Sequence, residues 1–379
     1  MRGLFLLLAD IDKSEFEETV KTDMIKKKIP WMILFLLLMV LSIWAVVSRS
    51  GSYSLALLKE TMANSNPWWI LAAVLGMLCN ILFEAAALDV LVRALTRTPD
   101  APPLKSYGIF YSAADIYFSA ITPSASGGQP ASAFFMSRDG IPMAKSAVIL
   151  VLNMLFYTGA LVIIGIMGFT FSPEIFYGLD TLAQIFVLLG MFVLLSLCVV
   201  FVLILKKERW VRHMAVFFIH LGAKLHLVRD KRKHIEKVDH AIHQYKDCAD
   251  LIFKNKRSMG VAFGFNLLQR LSLVSTTVLV YLAFGGSWDN LPAVISAQCL
   301  VLVGVYSLPI PGGMGVADYL LISGLTQIED VASPANLELI SRGISFYSCI
   351  ALTIGIVIFG YIYQERRNKK KALLKSQNT

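Results

Sequence analysis

The sequence has few charged residues and few cysteines for its length, and each shortage excludes a class of protein. Charged residues make up 16% of the 379 residues, against 56% hydrophobic residues and a mean hydropathy of +0.64. Soluble domains carry about 25% charged residues, so this composition excludes an ordinary soluble protein. The five cysteines are an odd number, and four lie in apolar stretches, so we predict packing residues and no disulfide framework.

Common catalytic motifs are also missing. The sequence has no HExxH zinc motif, no Walker loop, no CxxC pair and no pattern for a nucleophile triad. All six histidines fall between His213 and His243, among Lys and Arg on an amphipathic helical pattern. Such a surface is typical of attraction to anionic lipid and not of a metal site. We therefore predict no metal, no cofactor and no nucleic-acid partner.

What the sequence does have is long apolar runs. Runs of about 18 or more apolar residues mark helices that cross a membrane. Two further apolar regions, 105–140 and 292–327, are interrupted by Pro, Gly and Ser. The predicted fold class is therefore an all-α polytopic membrane protein. The N-terminal "LFLLLA" is too short for a signal peptide. The uninterrupted runs lie at 31–47, 67–92, 142–171, 179–205, 257–284 and 338–363.

The basic residues predict the orientation. Loops rich in Lys and Arg stay in the cytoplasm, and the net charge of +9 is best explained in this way. The segment 206–257 holds fourteen basic against six acidic residues, and the tail 365–379 holds six against one. We therefore predict that both termini and the basic insert lie in the cytoplasm.

The same charge pattern predicts two re-entrant hairpins. If either interrupted region crossed the membrane once, the basic insert or the tail would lie outside. Each region should therefore return to its own side, with breaks at Thr122–Pro130 and Pro309–Gly315. A span precedes and follows each hairpin, which predicts an inverted repeat; the alternative is that both breaks are ordinary loops. The predicted divisions are a segment 1–29, a first membrane half 30–205, an insert 206–256, a second membrane half 257–363 and a tail 364–379.

Ionisable residues inside the predicted spans are candidate substrate ligands, because a charge at a helix centre costs about 2.5–3.5 kcal/mol on insertion. Arg270 lies near the midplane of the predicted span 257–284, and Asn266 and Thr277 lie on the same helical face. It either binds a lipid phosphate through two hydrogen bonds or pairs with a buried carboxylate. Glu84 shares a face with Asn80. It is a candidate to pair with Arg270, to receive a cationic head group or to carry a proton.

Arg342 and Asp318 each have two interpretations. Arg342 follows Glu338 by one helical turn, which is typical of a local salt bridge, and it is also a candidate phosphate ligand. Asp318 is placed to cap the helix after the second break, and it is also a candidate for a cationic group or a proton. Backbone N–H groups at a half-helix N-terminus bind anions. The residues of the breaks that we predict to contact substrate are Ser124, Ser126, Gly127, Gly128, Gln129, Gly312, Gly313 and Gly315.

The two breaks also carry a family likeness. "ITPSASGGQPASAFFMSRDGIP" and "LPIPGGMGVAD" resemble the membrane domain of the lysylphosphatidylglycerol synthase/flippase family, which includes the multiple peptide resistance factor. The likeness covers about residues 30–365. In the first motif, an amide at Gln129 follows the family's Gly-Gly pair. The second family pattern is matched by Pro311, Gly312, Gly313, Gly315 and Asp318, with Asp in place of the commoner Glu.

The resemblance implies a bacterial plasma-membrane protein that moves aminoacylated phospholipid to the outer leaflet. Together with the predicted inverted repeat, this favours a flippase-like transporter that moves a phospholipid such as lysylphosphatidylglycerol, or a related polar lipid, between leaflets by alternating access. In two-part members a soluble domain makes the aminoacylated lipid; the tail 365–379 has no room for it, so we expect any synthase partner to be separately encoded. Two alternatives stay open: a component of aminoacyl-phospholipid synthesis such as a phosphatidylglycerol lysyltransferase, and a cell-envelope scaffold. The sequence does not determine the head group, the energy source or whether the protein is a homo-oligomer.

Overall fold

The computed structural model describes residues 65–97, 104–122, 125–206, 255–313, 315–331 and 333–377, with the isolated positions 63 and 252. In these residues the regular structure is entirely helical, which confirms the predicted fold class. The predicted span 31–47, most of the basic insert, and Ser124 lie outside the described residues. The α-helices are α1 Pro67–Thr96, α2 Gly108–Ile121, α3 Gly128–Arg138, α4 Met143–Phe171, α5 Pro173–Gly178, α6 Thr181–Lys206, α7 Lys256–Ala283, α8 Leu291–Gly304, α9 Val316–Leu325, α10 Pro334–Arg342 and α11 Cys349–Gln377.

Long apolar helices identify a multi-pass membrane protein. Five candidate spans coincide with predicted ones, and the sixth, Trp288–Ser307, is the first arm of the interrupted region 292–327. The last predicted span ends at 363, but α11 continues to Gln377. Hydropathy marks the end of the apolar run, whereas Lys, Ala and Leu beyond it are good helix formers. Within the described residues, the candidate spans are Pro67–Thr96, Met143–Phe171, Thr181–Leu205, Lys256–Ala283, Trp288–Ser307 and Pro334–Lys370.

Helices α1 and α7 form the central pair and run antiparallel along their length. At one end the Asn66 N–H donates to the Ala283 carbonyl at 2.8 Å, and at the other Asn255 Nδ2 donates to the Ala94 carbonyl at 3.5 Å. Between them, a Cβ on Gly76 would lie 3.2 Å from Thr276 Oγ1. Small residues of this kind let membrane helices approach closely.

Two other pairs of helices also pack closely. Helix α4 packs against α8, and helix α11 packs against α2. Both contacts use a glycine: a Cβ on Gly168 would lie 2.9 Å from Cys299 Cβ, and a Cβ on Gly360 would lie 2.7 Å from the Phe110 ring. By contrast, α6 presents many apolar side chains outward, among them Leu188 and Phe192, as a lipid-facing helix does.

Both interrupted regions do contain a helix break. In the first, α2 ends at Ile121 and α3 begins at Gly128, so the helix resumes earlier than the predicted break Thr122–Pro130 implies. Pro130 lies in the first turn of α3, where the missing N–H of a proline has no helical acceptor to serve. In the second break, Gly312, Gly313 and Gly315 have φ angles of 60°, 61° and 81°. Only glycine adopts these angles without strain, so the chain turns there.

Candidate functional site

A first cluster of buried polar residues lies where α1, α2 and α7 meet. Glu84 is 4% exposed, Asp115 is 7% exposed and Arg270 is 6% exposed. The carboxyl groups of Glu84 and Asp115 are close enough to interact electrostatically, and Arg270 acts on both. Gln269 Nε2 donates to Glu84 Oε2 at 2.9 Å. The structure thus brings Glu84 and Arg270 together and adds Asp115 and Gln269 to them.

Arg270 is held by aromatic residues. Its Nη1 donates to the Tyr157 hydroxyl at 3.2 Å, and its guanidinium carbon lies 4.2 Å from the centre of the Tyr157 ring. The Tyr157 and Tyr306 hydroxyls share a hydrogen bond of 2.6 Å. Arg270 Nε is buried and has no hydrogen-bond partner in the described part of the chain. Neither tyrosine was among the predicted site residues, although a tyrosine inside the apolar run 142–171 was a signal that could have been used.

The first break contacts the carboxylate of Asp115. Gln129 Nε2 donates to Asp115 Oδ2 at 2.9 Å, and Ser119 Oγ donates to Asp115 Oδ1 at 3.1 Å. A Cβ on Gly128 would lie 2.0 Å from Asp115 Oδ1, so only glycine lets the start of α3 approach this closely. The positive end of the α3 dipole thereby faces a negative group of the protein itself. The amide of Gln129 suits this contact, since a carboxylate there would repel Asp115.

The remaining residues of the first break have other surroundings. The Gly127 N–H donates to Thr122 Oγ1 at 2.8 Å, so this backbone group is used within the break. Ser126 is exposed.

A second cluster lies at the second break. Arg342 Nη1 is 2.8 Å from Asp318 Oδ1, and Arg342 Nη2 donates to the Gly312 carbonyl at 3.0 Å. Asp318 Oδ2 also accepts a hydrogen bond from the Gly315 N–H at 3.0 Å, so it caps α9 and pairs with Arg342 at once. Arg342 forms its ion pair with Asp318 and not with Glu338 one helical turn away, because the hairpin brings Asp318 to the guanidinium.

Glu338 completes the second cluster. It is 3% exposed, and its carboxyl group is close enough to Asp318 to interact with it electrostatically. Its Oε1 accepts no hydrogen bond from any residue that the structure describes. The cluster therefore contains two carboxyl groups and one guanidinium, as the first cluster does.

The predicted polar face of α7 is buried, but its residues have separate partners. Asn266 Nδ2 donates to Asn153 Oδ1 on α4 at 3.0 Å. Thr277 Oγ1 donates to Gln298 Oε1 at 3.0 Å and shares a hydrogen bond of 2.6 Å with Ser341 Oγ. Asn80 is buried one turn from Glu84, and its Oδ1 lacks a donor among the described residues. Polar side chains thus follow α7 through the apolar interior.

The two breaks approach the same region. Helix α2, which carries Asp115, contacts the Pro311–Gly313 turn of the second break. Tyr306 lies just before that break and is joined through Tyr157 to Arg270. Cys349, at the start of α11, is close enough to Glu84 to interact with it electrostatically. Residues next to the second break are therefore connected to the first cluster.

Residues 31–353 match the family described as the lysylphosphatidylglycerol synthase TM region. The match includes both breaks and both clusters. No curated protein and no solved structure matches the chain. Because the match covers most of the sequence, it confirms the resemblance that the two break motifs suggested. The chain belongs to the lysylphosphatidylglycerol synthase TM-region family.

Proposed function

We propose that this protein moves a phospholipid between the two leaflets of the plasma membrane by alternating access. The lipid belongs to the class that includes lysylphosphatidylglycerol. The observation that carries this proposal is the buried polar layer beside two helix breaks: arginines and carboxyl groups lie inside an assembly whose outer helices are apolar. Ionisable groups at such a depth are expensive, and in membrane proteins they mark substrate or ion pathways. The acyl chains would stay in the lipid while the polar head group passes the breaks.

The pairing of helices supports an inverted repeat. In the first half, α1 precedes the hairpin, α2 is its first arm and α4 is the span that follows. In the second half, α7 precedes the hairpin, α8 is its first arm and α11 is the span that follows. The two leading spans pack against each other. The following span of each half packs against the first arm of the other half, since α4 contacts α8 and α11 contacts α2. Such reciprocal contacts are those of two units related by a pseudo-twofold axis.

Helix length supports re-entry of the first hairpin and gives the second hairpin one short arm. At 1.5 Å per residue, the 14 residues of α2 and the 11 residues of α3 extend over about 21 Å and about 17 Å. Both lengths are shorter than the roughly 30 Å core of a bilayer. Helix α9, with 10 residues, is shorter still. The positive-inside rule then favours a cytoplasmic entry for the first hairpin and an outer entry for the second, with both termini in the cytoplasm.

The site residues have different roles in this proposal. Arg270 is the phosphate ligand, because among the described residues it forms no ion pair and its Nε is unused. Arg342 holds the second break through Asp318 and Gly312, so it contacts a head group only when the break opens. Glu84 and Asp318 receive the cationic part of the head group. We also propose that the basic insert binds anionic lipid.

Lipid transfer in proteoliposomes tests this function. The purified protein would be reconstituted with fluorescent phosphatidylglycerol, phosphatidylethanolamine or lysylphosphatidylglycerol, and the outer leaflet would be bleached at intervals. We expect selective transfer that is lost in Arg270→Ala and retained in Arg366→Ala, which removes an exposed arginine. Mass spectrometry of the same vesicles should show unchanged lipid species, as a translocase requires. Equal and slow transfer by protein-free vesicles and by folded wild-type protein would refute the proposal.

A further inference from the structure

The two clusters have the same chemical composition. Each contains an aspartate from a hairpin, a glutamate from a helix outside the hairpin, and one arginine. In the first these are Asp115, Glu84 and Arg270, and in the second they are Asp318, Glu338 and Arg342.

Each cluster has a surplus of one negative charge when all its groups are ionised. Two carboxylates carry two negative charges, and the guanidinium, which stays protonated in proteins, carries one positive charge. A net charge in the apolar interior is strongly unfavourable, so the cluster needs one more positive charge. One proton on each carboxyl pair makes each cluster neutral.

The neighbouring carboxyl groups indicate where this proton is bound. The carboxyl groups of Glu84 and Asp115 are close enough to interact, as are those of Glu338 and Asp318. Two ionised carboxylates repel each other, whereas one proton between them would form a hydrogen bond. At the second pair, Asp318 Oδ1 lies 2.8 Å from Arg342 Nη1, whereas Glu338 Oε1 is buried and accepts no hydrogen bond from the described residues. This oxygen of Glu338 requires a donor.

Among the described residues, the main electrostatic partners of the two carboxyl pairs include one arginine for each pair. The ionisable groups around the first pair are Arg270 from α7, Tyr306 from the turn after α8 and Cys349 from α11. Tyr157 from α4 contacts Arg270 and Tyr306. Around the second pair there is Arg342. Arginine is the one residue type in this set that is charged near neutral pH.

We propose that the carboxyl pairs Glu84–Asp115 and Glu338–Asp318 are two proton-binding sites, each with one proton shared between its carboxyl groups at neutral pH, and that these protons drive lipid movement. The second part rests on the proposed function, and the first part does not. A head group with a cationic amine that enters a pair would displace the proton, so lipid and proton would occupy the site in turn. A pH gradient would thereby become a leaflet gradient of lipid.

Infrared spectroscopy tests the proton sites without any transport. Ionised and protonated carboxyl groups absorb at different frequencies, and only the protonated band shifts in D₂O. At pH 7 we expect two buried protonated carboxyls in the wild-type protein, one of them lost in Glu84→Gln and the other lost in Glu338→Gln. Glu329→Gln, which changes an exposed glutamate, should retain both. A wild-type spectrum without a protonated carboxyl would overturn the inference, and this result does not depend on any variant folding.

Leaflet ratios then test the coupling. Vesicles with a tenfold proton gradient, and with the membrane potential held at zero by valinomycin and equal potassium, should accumulate labelled lipid up to about 100-fold in one leaflet if each lipid exchanges for two protons. Loss of one site in Glu84→Gln or Glu338→Gln should reduce this limit to about tenfold, and Glu329→Gln should match wild type. Lipid exchange that stays at a ratio of one would overturn the coupling. No lipid exchange, with both protonated bands present, would instead refute the proposed function and leave the proton sites supported.

Discussion

Gly128→Ala is expected to force the two arms of the first hairpin apart. A Cβ at this position would lie 2.0 Å from Asp115 Oδ1, 2.1 Å from Ser119 Oγ and 2.7 Å from the Asp115 backbone carbonyl, whereas ordinary contact begins at 3.4 Å. The side chains can rotate, but the carbonyl cannot, so α2 and α3 must separate by about 0.7 Å. Overpacking of this kind costs about 1–3 kcal/mol. Rotation of Asp115 also breaks its bond with Gln129, which adds about 1.5–3 kcal/mol.

The assay is thermal unfolding of the purified protein in detergent, followed by tryptophan fluorescence. Gly264→Ala is the matched control, because Gly264 is also helical and a Cβ there meets no atom within 4 Å. Alanine should stabilise the control helix by about 0.5–1 kcal/mol, so the two substitutions are predicted to shift the unfolding midpoint in opposite directions. A Gly128→Ala protein as stable as Gly264→Ala would refute the close approach of α3 to Asp115. Lipid transfer by Gly128→Ala should also fall below that of the control.

Three further changes have expected outcomes. Tyr157→Phe removes the hydroxyl that joins Arg270 to Tyr306, so it should lower the free energy of unfolding by about 1–3 kcal/mol. The control is Tyr177→Phe, because Tyr177 is 75% exposed, and it should leave the thermal unfolding almost unchanged. Arg342→Lys should lose one of the two contacts of Arg342, since an ammonium lacks the planar fork that reaches both Asp318 and the Gly312 carbonyl, and a midpoint equal to wild type would contradict that geometry. Burial alone would raise the pKa of Asp330, but hydrogen bonds from the Tyr281 hydroxyl and the Ser287 N–H outweigh it and hold the pKa below its ordinary value. Asp330 therefore stabilises the fold above about pH 4 and ceases to do so as the pH falls through its folded pKa. The unfolding midpoints of wild type and Asp330→Asn should differ at pH 7 and converge in acid. A difference that does not depend on pH would contradict this.

Features encoded by neighbouring residues were predictable from the sequence. Apolar runs of sufficient length marked five of the described helices, and the glycines and prolines marked both breaks. The capping role of Asp318 was also predictable, because a cap and its helix are adjacent in the chain. In each case the physical cause acts over a few residues, so no knowledge of the tertiary fold was required.

The partners of the buried charges depend on packing and were predicted less well. Glu338 is one turn from Arg342 in sequence, yet Arg342 pairs with Asp318, because the hairpin carries the aspartate back to it. The contact between Glu84 and Arg270 was one of several open interpretations, and the added carboxyl of Asp115 comes from a third helix. Tyr157 was missed because a tyrosine in an apolar run is usually a packing residue.

The π-helical segment Gly343–Ser348 joins α10 to α11 and changes the angular register between them. A π-helical hydrogen bond spans one residue more than an α-helical one, so a short π-helical segment inserts about one residue into the helix. The side chains before and after it are therefore out of angular phase by about 100°. This offset lets α10 aim Arg342 at the second break while α11 independently presents Gly360 to Phe110. Deleting one residue within the segment would preserve a helix but rotate these two faces relative to each other. The segment thus sets the direction of Arg342 in the charged cluster relative to the faces of the membrane-spanning helix α11.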